Sequence, residues 1–294
     1  MKFLNILFII IFALFLSNCE WVGSNSCRIM TYNIRYDDPN AGENSWENRK
    51  GYVISLIDSL KPQIFGLQEA MIHQIYDIHE KLPTYKWVGN GRDDGKTKGE
   101  FTAIFYNDEE LEIIRASTFW CSQTPGLPGI GWDAAYYRTV TWVEIKNKKT
   151  ENHFIVMNTH FDHIGEIARV QSARLVKRVI NDLFPNFPVI LMGDFNVIPE
   201  SEPYAIITGG SDQAEDDRII QDSYSIASER TKLTGTFNGF DIYSEYQYPI
   251  DYIFVTTNIQ VNSYQVVKQK FENRYPSDHF PVVEIGRASC RERV

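Results

Sequence analysis

The chain has 294 residues, 43% of them hydrophobic and 14% aromatic, which is the composition of a globular protein able to bury a large core. Its net charge of -9 argues against tight, nonselective binding to a phosphate backbone, which depends on Lys and Arg releasing counterions. An acidic metal-binding cleft contributes to the same number, so the charge does not exclude a nuclease. There is no run of like charge, no low-complexity linker and no internal repeat, so one domain is the simplest organisation.

In chain order, Lys2 precedes an apolar run from Phe3 to Leu16 that is short of the roughly 20 residues needed to span a bilayer. Residues 1–18 are therefore expected to be a signal peptide. Leu16-Ser17-Asn18-Cys19 resembles a bacterial lipoprotein cleavage box, which implies lipidation of Cys19 and an exported protein held at the periplasmic or cell-surface side of a membrane. Each buried methylene of such an anchor contributes about 0.8 kcal/mol. An ordinary cleaved signal and an uncleaved anchor are the alternatives. At the other end, residues 284–294 read EIGRASCRERV, which resembles a translated sequencing adapter, and are set aside as an artefact tail. That leaves residues 28–283 as the folded domain, expected to be monomeric. A disulfide between Cys27 and Cys121 stays open for a protein outside the cytoplasm.

Arg28 to Ile34 reads as a strand, Trp46 to Leu60 as a helix, Ile64 to Leu67 as a buried strand and Met71 to Leu82 as a second helix, from the switch between short apolar runs and helical periodicity. Strands are expected at Phe101 to Tyr106, Leu111 to Ser117, Arg138 to Lys146 and His153 to Thr159, with turn signals between them. Ile164 to Phe184 has helical spacing and Pro185 just past its end. Strands Val189 to Met192, Tyr252 to Val255, Gln260 to Val267 and Pro281 to Val283 complete a layered α/β sandwich.

The polar residues of interest share one kind of position. Asn33, Glu69, His160 and the pair Asp194 and Asn196 each follow a predicted strand, while Asp251 opens a strand and Asp278 and His279 precede the last one. The start of an antiparallel strand lies beside the ends of its neighbours, so all of these can share one rim. Carboxylates, amides and imidazoles make a hard, oxygen-rich set that suits Mg2+, with Mn2+ as a substitute, better than zinc. No P-loop, dinucleotide fingerprint or Gly-x-Ser-x-Gly elbow is present. Singly, each residue has a plainer explanation: a Gly-Asp pair after a strand is usually a turn, and Trp120, Trp132, Tyr136 and Tyr137 are more often packing than a substrate platform.

TYNIR, LQEA, GEFTAIFY, NTHFDH, GDFN, IDYIF and SDHFPV occur in this order, and together they resemble the endonuclease/exonuclease/phosphatase superfamily of metal-dependent phosphoesterases. The resemblance implies a four-layer sandwich, two mixed β-sheets face to face with helices outside. It also implies Glu69 as principal metal ligand with Asn33 and Asp278 beside it, Asp194 as the group that orients or deprotonates water, and Asn196 as a holder of a phosphate oxygen. His279 oriented by Asp251 would stabilise phosphoryl charge. His160, partnered by Glu100, would aid phosphate stabilisation or leaving-group protonation. The expected reaction is in-line attack of water on phosphorus. The segment Phe119 to Arg138 resembles a subfamily of secreted bacterial members, and Arg138 either contacts substrate or braces the site through Asp133 or Glu144. A phosphodiesterase or nuclease acting outside the cytoplasm leads; a phosphatase or phospholipase-like enzyme on sugar, inositol or lipid phosphates is second, and a non-catalytic binding module third.

Overall fold

A computed structural model describes residues 26–209, 218–243 and 246–288. The elements run β1 (Cys27–Asn33), a 3-10 turn (Gly42–Asn44), α1 (Trp46–Leu60), β2 (Ile64–Gln68), α2 (Ile72–Lys81), β3 (Tyr85–Val88), β4 (Ile104–Asn107), β5 (Leu111–Trp120), β6 (Thr139–Asn147) and β7 (His153–His160). They continue α3 (Glu166–Leu183), β8 (Val189–Asp194), α4 (Glu202–Thr208), β9 (Ile220–Asp222), α5 (Ser223–Ile226), β10 (Glu229–Arg230), β11 (Asp251–Thr256), β12 (Ile259–Val266) and β13 (Val282–Ala288). Two mixed sheets result, ordered β10-β12-β13-β1-β2-β4-β3 and β5-β6-β7-β8-β11-β9.

The expected four layers follow from which residues are apolar on both faces. β2, β8 and β11 are buried along their whole length, as strands covered on both sides must be. Ile29, Ile64 and Ile104 of the first sheet meet Val143, Val156, Ile190 and Ile253 of the second in a central core. The outer face of the first sheet packs on Val53, Leu56 and Ile57 of α1 and on Ile75 and Ile78 of α2. Ala173, Val176 and Ile180 of α3 cover the outer face of the second.

Near the rim the two sheets are tied by polar groups. Asn158 of β7 donates to the carbonyls of Leu67 and Ala103, both at 2.9 Å, and accepts from Gln68 Nε2 at 2.6 Å. The approach is close enough that a Cβ on Gly66 would lie 2.7 Å from Asn158 Cγ and from Met192 Cε, so only glycine fits there.

Several expectations need correction. β13 continues through Ala288, with Cys27 opposite Gly286 and Gln260 opposite Arg287, so the last strand runs past Val283: it is paired on both sides as far as Gly286 and on the β12 side through Ala288. Phe101 makes only an isolated bridge with Ala70, and the strand begins at Ile104. Cys27 and Cys121 are free thiols in different core layers, which removes the disulfide. Residues 1–18, Cys19 and 289–294 lie outside the described residues. Among the described residues no helix is long and apolar enough to cross a membrane.

Candidate active site

Strand register brings the polar set to one rim. β7 and β8 run parallel with His160 opposite Asp194, and β11 runs antiparallel to β8 with Asp251 opposite the same Asp194, so three site residues form a row across three strands. In the other sheet β1 and β2 are parallel, ending at Asn33 and Gln68. β13 is antiparallel to β1 and therefore starts at that end, delivering Asp278 and His279. Where the chain leaves the rim, Arg35 (φ 59°), Glu69 (φ 59°) and Asn196 (φ 51°) adopt left-handed backbone. This conformation costs about 1–3 kcal/mol for a side chain that gains nothing from it, and such outliers concentrate at functional sites.

The best-satisfied part of the site surrounds Asp194. Asn33 Nδ2 donates to Asp194 Oδ2 at 3.0 Å and to Glu69 Oε1 at 3.1 Å, and the Asn196 backbone N–H donates to Asp194 Oδ1 at 3.0 Å. Asn33 Oδ1 is taken by the Arg35 backbone N–H at 3.0 Å. Asn33 thus braces two carboxylates, and its oxygen accepts one backbone N–H. His279 Nδ1 lies 2.8 Å from Asp251 Oδ2, and His279 Nε2 lies 3.8 Å from Asp194 Oδ2. Burial pushes the His279 imidazolium down, but the charge and hydrogen bond of Asp251, with Asp194 and Asp278 beyond, outweigh it and hold the pKa at about 10. Burial and the Asp251 charge push Asp194 up to about 7.

The facing wall differs. His160 Nε2 is 3.6 Å from Asp194 Oδ2, but burial and the charges of Arg138 and Arg92 drive its pKa well below the usual imidazole value, so it is neutral. Glu100 does not hydrogen-bond to it. The Glu100 carboxylate is 3.9 Å from His160 Nδ1 and accepts from Arg92 Nη1 at 2.6 Å, because a guanidinium supplies the stronger charge-assisted partner. Arg138 is braced by neither expected acid: Nε donates to Asp162 Oδ2 at 3.1 Å and Nη2 lies 2.9 Å from His163 Nδ1. Asp133 instead accepts from the Ile167 and Ala168 backbone at the start of α3, and Glu144 pairs with Arg115 and His153. Burial pushes Asp162 up, yet hydrogen bonds from the Gly165, Ala135 and Ile164 backbone and the Arg138 charge hold it at about 2. Among the described residues, Arg92 Nε, Arg138 Nη1 and His160 Nδ1 on this wall, and Asp251 Oδ1 behind His279, are buried with no partner, each costing about 1–3 kcal/mol unless something supplies one.

Two groups of side chains could take a cation. One ligand atom each of Asp194, Asp251 and His279 lies within 4.8 Å of the others, but His279 Nδ1 is committed to Asp251, which makes that cluster an ion-paired set. Glu69 and Asp278 fit better. Their side chains are 12% and 8% exposed and line the same cleft. The Arg35 guanidinium stands off from them at 3.5 and 3.7 Å, beyond hydrogen-bond range, leaving carboxylate lone pairs for a hard divalent ion.

Glu69, Glu100, Arg138, His160, Asp194, Asn196, Asp278 and His279 line one cleft of about 720 Å3, with Asn33 and Asp251 buried behind it. The cleft also holds Arg35, Tyr36, Arg92 and His163, which the sequence reading did not assign, and Tyr136, read there as packing in preference to a substrate platform, is half exposed on its wall. Arg35 lies inside TYNIR and His163 inside NTHFDH, so motif membership could have found both; Arg92 sits in a polar loop with no such signal.

The profile of the Endonuclease/Exonuclease/phosphatase family matches residues 30–279. The chain belongs to that family. Family members are hydrolases of phosphate esters and generally depend on a divalent metal. Among solved structures, the mannosyl-6-phosphatase of Bacteroides thetaiotaomicron is 38% identical, with a TM-score of 0.82 over 88% of this chain and 98% of that one. An uncharacterized protein of Acanthamoeba polyphaga mimivirus is 29% identical over 82% of this chain and 91% of its own length. A CCR4-Not complex 3'-5'-exoribonuclease subunit of Mycosarcoma maydis is 22% identical over 87% of this chain, which spans only 49% of that relative.

Proposed function

We propose that this family member is a Mg2+-dependent phosphatase that releases phosphate from a small phosphorylated sugar, acting outside the cytoplasm. The observation that carries this reading is the cleft. At about 720 Å3, walled by Arg92, Tyr136 and Arg138 on one side and Phe237 and Ile250 on another, it has the size and mixed lining of a small-molecule pocket. A nuclease needs a groove that tracks a strand with basic residues, and the net charge of -9 offers no support for one. The 38% identity to a mannosyl-6-phosphatase supports the same choice, so the phosphatase alternative takes precedence over the phosphodiesterase first expected. Export rests on the apolar run Phe3 to Leu16.

Asp194 accepts the proton of the attacking water, which its raised pKa suits, since a base near the working pH combines availability with driving force. His279 remains an imidazolium and faces charge developing on the phosphoryl oxygens. Asn196 spends one amide N–H on the Phe161 carbonyl at 3.0 Å and keeps the other for a phosphate oxygen. His160, being neutral, serves as a hydrogen-bond donor; as the P–O bond to the sugar breaks, the departing oxygen takes a proton from solvent and Asp194 releases its own to close the cycle. Glu69 and Asp278 would hold Mg2+, which when bound polarises the phosphate ester.

The test is hydrolysis by the purified protein of hexose 6-phosphates, bis(4-nitrophenyl) phosphate and single- and double-stranded oligonucleotides, each with Mg2+ and with EDTA. Metal-dependent release of phosphate from a hexose phosphate, at least about a hundredfold faster in kcat/KM than diester cleavage, is expected. Preferential cleavage of oligonucleotides would overturn the reading.

A further inference from the structure

The wall opposite His279 contains more than phosphate chemistry requires. Arg92 and Arg138 both border the cleft, but neither is a free cation: Arg92 is bound to Glu100 and Arg138 to Asp162. With each guanidinium balanced by a carboxylate, the wall is poorly suited to a second phosphate. The two side chains line the cleft and still hold donors without partners, Arg92 Nε and Arg138 Nη1, buried beneath its surface. Beside them the Glu100 carboxylate lines the cleft as an acceptor. Donors and an acceptor held side by side are the complement of neighbouring hydroxyl groups, each of which both gives and takes a hydrogen bond.

Tyr136 fixes this arrangement. Its ring stacks on His163 at a centroid distance of 5.8 Å, and the guanidinium carbons of Arg92 and Arg138 lie 5.3 and 5.8 Å from its centroid. It is 49% exposed and borders the cleft, so it orders both arginines while offering an amphipathic edge to whatever enters.

We propose that Arg92, Glu100, Tyr136 and Arg138 form the subsite that reads the hydroxyl pattern of the substrate's sugar ring. The inference rests on the sugar-phosphatase reading and moves Glu100 from catalysis to substrate binding. A site built to hydrogen-bond hydroxyl groups discriminates strongly against substrates that lack or misplace them, because its own buried donors are then left unpaired.

The experiment compares kcat/KM for the 6-phosphates of glucose, mannose and galactose with that for 4-nitrophenyl phosphate, which has no sugar hydroxyls. It uses the wild type, Tyr136→Ala and the double variant Arg92→Gln/Glu100→Gln, in which both charges leave together. In the variants the preferred hexose phosphate should lose at least about tenfold more kcat/KM than the aryl ester, mostly through KM, and the ranking of the three epimers should flatten. Equal losses on both substrates with the epimer ranking intact would overturn the subsite alone. A wild type that cleaves no hexose phosphate while hydrolysing another ester would overturn the sugar-phosphatase reading and the subsite with it. If the double variant does not fold, Tyr136→Ala decides the matter, since Tyr136 is half exposed and its removal leaves both ion pairs in place.

Discussion

The two imidazoles that face Asp194 sit at similar distances from it, 3.6 Å for His160 and 3.8 Å for His279, yet they lie in opposite electrostatic surroundings. His279 is backed by a buried carboxylate at hydrogen-bond distance, whereas His160 is backed by two arginines and has its nearest glutamate turned away. Burial is alike for both and disfavours the charged ring, so the neighbours separate a ring that is cationic at neutral pH from a neutral donor. One wall of the cleft thus handles charge that develops during reaction, and the other handles neutral recognition.

The hardest blow to this division falls on the charged wall. His279→Ala and Asp194→Ala should each lower kcat by about a thousandfold or more, with an unchanged circular dichroism spectrum; near-normal turnover in either would abolish the distinction. EDTA should reduce turnover to background, with Mg2+ or Mn2+ restoring it, and Glu69→Gln should raise the Mg2+ concentration needed for half-maximal rate by about tenfold or more.

The pH profile sharpens the comparison. The rate should rise as Asp194 deprotonates near 7 and fall as His279 loses its proton near 10, and Asp251→Asn should move the alkaline limb downward. Stability follows the same group. The folded pKa of His279 is raised above 6.5, so its stabilisation is fully present below about 6.5 and is lost as pH climbs through about 10. The Tm gap between the wild type and Asp251→Asn should therefore close over that interval; a gap that widens with pH would refute the charge assignment. The smallest effect expected is none at all: dithiothreitol should leave Tm and kcat unchanged, because Cys27 and Cys121 are unpaired.

Much of this was legible beforehand, and for identifiable reasons. The sequence shows α1 with its observed boundaries because Ile54, Leu56, Ile57 and Leu60 are apolar at helical spacing, and in the structure Lys61 ends it in left-handed backbone. The row of Asp194, His160 and Asp251 followed from strand ends and one antiparallel start. What escaped notice depends on partners distant in sequence. β3 is only four residues long and exists through its pairing with β4. Likewise, Glu100 could not be assigned to Arg92, nor Arg138 to Asp162, without the fold, since several acids along the chain were equally eligible. The extension of the last strand past Val283 has a different cause: its backbone is paired with both neighbours as far as Gly286, whatever its side chains are.

The position of β13 between β1 and β12, after every other strand in chain order, bears on how the protein matures. An interior strand of one sheet, with the Asp278 and His279 loop that precedes it, leaves the ribosome after every other described strand. Until it inserts, β1 presents an unpaired edge and the cleft has neither its second carboxylate nor its cationic ring. A chain in which β13 has not yet inserted is therefore poorly closed and lacks two of its site residues.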